Sequence, residues 1–178
     1  MKDIKMKKQL FFGILVSVSL TLICFGQEVG ERHFEQDGGF SYCPPAGWLV
    51  REMPGKKYKV AFDRPTKGFA PNIYIVDEAF AGTLDEYVRG NIQSMPGIYE
   101  ANGVKDYKLL SQAEFITASK KRGARMMIQA EINGRLLRQT FYFFDGKEGR
   151  KIILTCSVLA DGGEAYDKVF DTSMKTFE

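Results

Sequence analysis

Histidine is almost missing from this chain: His33 is the only one in 178 residues. Nucleophilic catalysis of the Ser-His or Cys-His kind would have to recruit that single imidazole, and neither Ser-x-x-Lys nor Gly-x-Ser-x-Gly occurs as a substitute. A surplus of charge is missing as well. Lys2, Lys5, Lys7 and Lys8 against Asp3 account for the whole formal charge of +3, so the remainder is balanced. A balanced body gives no electrostatic ground for binding nucleic acid or an anionic membrane. Gly38-Gly39 and Gly162-Gly163 lack a Walker lysine and a dinucleotide spacing, so phosphate loops are excluded and no cofactor is expected. What is present is ordinary: 44% hydrophobic and 26% charged residues suit one globular domain. A body of this length buries roughly two-thirds of its unfolded surface and needs no metal or disulfide framework to fold.

The apolar or small-residue stretch Leu10–Ile23 is shorter than the about 20 residues a membrane span requires, but it fits the core of a signal peptide behind a basic start. Small side chains at Cys24 and Gly26 place the cut after Gly26, so residues 1–26 read as a signal peptide. Lipidation at Cys24 is the weaker alternative, because Leu22 and Ile23 are bulky where such a site wants small residues. The expectation is an exported chain, periplasmic or extracellular, with no stable membrane span after cleavage. In that oxidising compartment Cys43 and Cys156 are the candidates for one disulfide. It would close a loop on the order of a hundred residues and add about 4 kcal/mol if unstrained. The alternative is two separate thiols acting as small core hydrophobes.

Residues 27–38 are polar without apolar period and read as a flexible tail; residues 39–178 read as a single domain. Strands are expected at Phe40–Cys43, Tyr58–Phe62 and Asn72–Val76, with Trp48 a core anchor in a turn. Thr83-Leu84-Asp85-Glu86 is a capping box opening a helix that carries Leu84, Val88, Ile92 and Met95 on one stripe. Pro96-Gly97 is expected to end it. A four-strand meander follows over Tyr107–Thr117, Ala124–Ile132, Leu136–Phe144 and Lys151–Leu159, then a closing helix with Tyr166, Val169, Phe170 and Phe177 on one stripe. The fold class is therefore α+β, an antiparallel sheet of about seven strands flanked by helices.

Asn133-Gly134 sets the register of the central hairpin, placing Ile132 opposite Arg135, Ala130 opposite Leu137 and Gln129 opposite Arg138. One face then carries Met126, Ile128, Ala130, Phe141 and Phe143 and must be covered; Gln139 is its misfit. The other mixes polar and aromatic groups. Gln129, Glu131, Arg138, Thr140 and Tyr142 on that second face are the candidate docking surface, since they combine hydrogen-bonding groups with an aromatic anchor.

The order strand, Pro-Gly-Trp turn, two strands, helix, meander and closing helix resembles the PsbP-like family. The residues that carry the likeness are Gly39-Phe40-Ser41-Tyr42-Cys43-Pro44-Pro45-Ala46-Gly47-Trp48, the strand Asn72–Val76 before Thr83–Tyr87, and the C-terminal Met174-Lys175-Thr176-Phe177. The resemblance implies helices on an antiparallel sheet, as in the photosystem II extrinsic subunit and the DcrB-type periplasmic proteins. It also implies a non-enzymatic role of docking onto other proteins, with no shared catalytic set. Photosynthetic members are linked to metal retention partly through histidines, and the expected domain here has none.

The remaining candidates are weaker. Glu31, His33, Glu35 and Asp37 alternate and would line one side of an extended tail, but nothing rigid fixes a metal geometry, so no metal site is expected. Lys120-Lys121-Arg122 with Arg125 forms the densest basic cluster, at a hairpin tip. Three functions follow in order: an exported, non-catalytic module docking on a protein of the cell envelope; a small-molecule or lipid carrier using space between sheet and helices near Phe141–Phe144; and a carboxylate-dependent hydrolase.

Overall fold

A computed structural model of the protein describes residues 28–178; the expected signal peptide, its cut and Cys24 lie outside the described residues. The elements run β1 (His33–Glu35), β2 (Phe40–Tyr42), β3 (Leu49–Arg51), β4 (Val60–Phe62), β5 (Asn72–Ala79), α1 (Leu84–Ala101), β6 (Lys105–Ile116), β7 (Arg122–Ile132), β8 (Arg135–Asp145), β9 (Arg150–Leu159) and α2 (Asp167–Met174). Seven strands form one antiparallel sheet in the order β3-β4-β5-β9-β8-β7-β6, and β1 and β2 pair separately. The meander β6–β9 thus folds back so that its last strand joins β5.

The central hairpin has the register its turn dictates: Ile132 faces Arg135, Ala130 faces Leu137 and Gln129 faces Arg138. Asn133 and Gly134 both adopt positive φ, 52° and 72°, the geometry that matches strand twist in a two-residue loop. Alternation then sorts side chains onto two faces. Met126, Ile128, Phe141, Phe143 and Ile153 pack with Leu84, Tyr87, Val88 and Met95 of α1. Tyr142, Phe144, Leu154 and Cys156 pack with Phe170, Met174 and Phe177 on the opposite side. Gln139, the polar residue on the α1 face, is buried but satisfied, accepting from Tyr99 Oη at 3.2 Å and donating to Ser157 Oγ at 2.9 Å. Gly123 in β7 has a steric reason: a Cβ there would come within 2.5 Å of the Phe144 ring.

Two boundaries differ from expectation. Thr83 caps α1 as the sequence indicates, with Glu86 reciprocating, but the helix runs through Pro96 to Ala101. Proline removes one intrahelical bond; the turn beyond it is held by tertiary contact, since Tyr99 packs edge-on to Tyr107 at 5.5 Å and bonds Gln139. The second difference is at the N-terminal side. Residues 28–38, expected as a flexible tail, belong to the folded body. Val29 bridges Pro45, and β1 pairs with β2 in register His33↔Tyr42. Arg32 donates to Ser41 Oγ and the Thr176 carbonyl and meets the Glu178 carboxylate at 3.2 Å. The segment has no apolar period because polar bonds to the C-terminal residues, rather than burial, hold it.

Candidate interaction surfaces

The five residues proposed for docking do not make an open patch, because α2 lies over the middle of their face. Thr140 and Tyr142 are fully buried. Arg138 donates through Nε and Nη2 to the two oxygens of Asp167, at 2.9 and 2.7 Å, a bidentate pair at the start of α2. Tyr142 Oη donates to Asp171 Oδ1 at 2.5 Å, and Arg125 Nε lies 3.1 Å from the same carboxylate. Gln129 and Glu131 stay half-buried, as does Arg138, whose guanidinium is taken up by Asp167. The polar groups of Arg138 and Tyr142, expected to meet a partner, instead hold the protein's own helix. The pairing signal was present as Asp167 and Asp171, one helical turn apart.

Of the two alternatives for the cysteines, the structure has the separate thiols: Cys43 and Cys156 are both free. Tyr42 packs in the same core cluster as Cys156, and neighbouring side chains of an extended chain point apart, which turns Cys43 away. Burial pushes the Cys156 thiol well above its ordinary pKa, so it is neutral and unreactive at neutral pH. His33 is not outside the packed body, as the sequence suggested, but on β1, with Nε2 2.9 Å from Glu35 Oε1. Glu35 Oε1 also accepts the Lys59 N–H at 3.1 Å, so His33 and Glu35, two of the four residues of the alternating strip, are taken up in structural bonds.

The space named for a carrier near Phe141–Phe144 is filled by the two core layers. Phe141 and Phe143 interlock with α1 while Tyr142 and Phe144 interlock with the α2 side, filling the layers a ligand would need. The better buried carboxylates are each committed to partners. Asp77 is held by Lys57 Nζ at 2.8 Å and by Arg150 Nε. Burial would raise its pKa, but the hydrogen bonds from Lys57 and Arg150 outweigh it and hold the carboxyl below its usual value. A lowered folded-state pKa stabilises the protein above the unfolded value of about 4, and the contribution is lost as pH falls through the lower folded value. Stability of the wild type to urea should therefore fall more steeply than that of Asp77→Asn as pH drops below about 4. Superimposable pH profiles would remove Asp77 from the acid response.

A surface of a different kind lies between α1 and the sheet edge. β6 is the outermost strand, and α1 sits over β7 and β8, leaving a groove of about 420 Å³ along its flank. Val88, Ile92 and Ala124 contribute an apolar floor, while Arg89 and Gln93 of α1 face Gln112 and Glu114 of β6 across it. Asp85, Arg89 and Gln93 are four residues apart, so one helix flank presents all three. Arg122 ties the two walls together: its Nε donates to Glu114 Oε1 at 2.6 Å, and its Nη2 to the Asp85 carboxylate at 3.1 and 3.2 Å. Of the basic cluster at this hairpin tip the two arginines are paired, Arg122 with Asp85 and Glu114 and Arg125 with Asp171. Arg89 has no ion-pair partner among the described residues.

By sequence the chain matches no protein-family model and no curated protein. By structure it aligns with the cyanobacterial PsbP protein (CyanoP) of Synechocystis at a TM-score of 0.63 and 15% identity, covering 87% of this chain and 96% of that one. The fold is PsbP-like. Two further PsbP-like matches widen the set. The Ran-binding protein Mog1p of Saccharomyces cerevisiae gives a TM-score of 0.56 at 12% identity, over 85% of this chain and 96% of the other. LpqN of Mycobacterium tuberculosis, a protein involved in cell envelope biogenesis, gives 0.55 at 12% identity, over 85% and 86%. Within this PsbP-like body, no helix among the described residues is long and apolar enough to cross a membrane.

Proposed function

We propose that the protein is an exported, non-catalytic module that docks on another protein of the cell envelope through the groove between α1 and β6. The observation that carries this reading is the groove itself. It is open, its aliphatic floor is rimmed by charged and amide side chains, and its walls are braced by Arg122, a combination typical of protein-binding surfaces. The groups a catalyst would use are engaged elsewhere: His33 with Glu35, Asp77 with Lys57 and Arg150, and Cys156 buried and neutral. Proteins of the same fold support it, one being a Ran-binding protein and another involved in cell envelope biogenesis.

A photocrosslinking residue placed at Gln93 tests the reading in living cells, with Glu52, exposed beyond β3 at the other end of the sheet, as control. A discrete adduct of reproducible mass is expected from the Gln93 position and none from the control. Equal labelling at both positions, or none at either, would end the proposal.

A further inference from the structure

The N-terminal segment that joins the folded body builds a second groove, at the β3 end of the sheet. About 460 Å³ lies between Gly30–His33 on one wall and residues of the Pro44–Val50 stretch on the other. Trp48 lines it half-buried, and its ring is oriented from behind: Tyr166 and Phe170 meet it edge-on at 6.5 and 6.0 Å. Pro44, Pro45 and Val50 extend the apolar surface around the indole. The main chain of this wall has few donors to give. Pro44 and Pro45 carry no N–H. The N–H groups of Gly30, Ala46 and Trp48 are spent on the carbonyls of Pro44, Glu28 and Pro45, at 2.7, 3.1 and 3.2 Å. A strand added here would depend on main-chain bonds and would find no row of donors along Pro44–Trp48. A polyproline II segment needs none, because its backbone stays solvated while its rings pack on an aromatic surface.

We propose that this groove binds a proline-rich segment of a partner protein in the polyproline II conformation, with an arginine or lysine beside the prolines directed at Glu31. The space suits roughly one turn of such a helix, about three residues. The charged groups of the lining set the sign of the flanking residue. Arg32 is occupied by Ser41, the Thr176 carbonyl and Glu178, and His33 by Glu35. Glu31 is exposed and has no ion-pair partner among the described residues. An incoming cation supplies one, whereas an incoming carboxylate meets like charge. The site stands at the opposite end of the sheet from the groove between α1 and β6, so neither depends on the other. Glu52 follows the far end of β3, about 13 Å of extended chain from Trp48.

Trp48 is the only tryptophan in the chain, so its fluorescence reads this groove directly. The probe is a synthetic oligoproline of about eight residues ending in arginine, titrated into the purified protein. It should shift Trp48 emission in a saturable way, with a midpoint below about 1 mM, and shield the indole from acrylamide. An oligoproline ending in glutamate should bind about fivefold or more weakly, and Glu31→Lys should cost the arginine peptide a similar factor. A flexible Gly-Ser peptide ending in arginine should give no shift. Glu31 is exposed, so folding of the variant is preserved. Absence of a saturable shift, an equal response to the Gly-Ser peptide, equal binding of the two oligoprolines, or indifference to Glu31→Lys would each overturn the proposal. So would an indole that acrylamide fails to reach in the free protein, because the chain's own residues would then fill the groove. Emission that moves with protein concentration alone would give the groove to a second copy and overturn it too.

Discussion

Arg138→Glu is expected to destabilise the protein by about 3–5 kcal/mol, the range for breaking a largely buried ion pair. Arg138 is 15% exposed and Asp167 26% exposed, so water screens the pair poorly. The substitution removes two charge-assisted hydrogen bonds and sets a carboxylate against Asp167 at the first turn of α2. Because α2 carries Phe170 and Met174 into the core, loosening its start also weakens that apolar contact. In a body of this size the loss corresponds to a fall of roughly 10 °C in Tm. The double variant Arg138→Glu with Asp167→Arg should recover part of it, and a double-mutant cycle from urea unfolding reads the coupling. A change below about 1 kcal/mol would mean that the face is wet and that α2 does not depend on the pair.

Phe177→Ala should cost a similar amount, about 3–5 kcal/mol, for a different reason. The ring is fully buried and stacks on Phe144 at 4.1 Å with 10° between planes, while Phe40 packs on it at 5.5 Å. Removing it opens a cavity where the N-terminal hairpin, the sheet and the segment after α2 meet. The backbone there is rigid: Ser41 and Glu178 exchange N–H to carbonyl bonds at 3.1 and 3.0 Å, so little collapse can fill the space. Phe177→Leu keeps more of the volume and should lose less. Calorimetric unfolding checks both. Equal losses for Ala and Leu would show that the stack, not the cavity, sets the cost.

The two effects arise where local reading and tertiary structure part company. The Arg138 face reads from sequence as a docking surface because each of its polar residues, taken singly, suits an exposed position. What pairs with them lies 29 residues away in α2, as Asp167 for Arg138 and Asp171 for Tyr142. His33 and Cys43 tell the same story at the N-terminal side. A strand of three residues with no apolar alternation leaves no periodic trace, and its contacts to Thr176 and Glu178 span most of the chain. The groove was invisible for a related reason, since Arg89, Gln112 and Arg122 come from three separate elements.

Short-range rules by themselves determined the capping box at Thr83, the Asn-Gly register of the central hairpin, the identity of the α1-facing core and the α+β class, because each depends on residues within a few positions of one another. Tertiary structure alone decided that β9 slots between β5 and β8, that α2 covers the second face, that β1 joins the body and that β6 is left at the edge beside α1. Those outcomes rest on which surfaces exclude water together, and burial is a property of pairs distant in the chain, so no single stretch of sequence carries it.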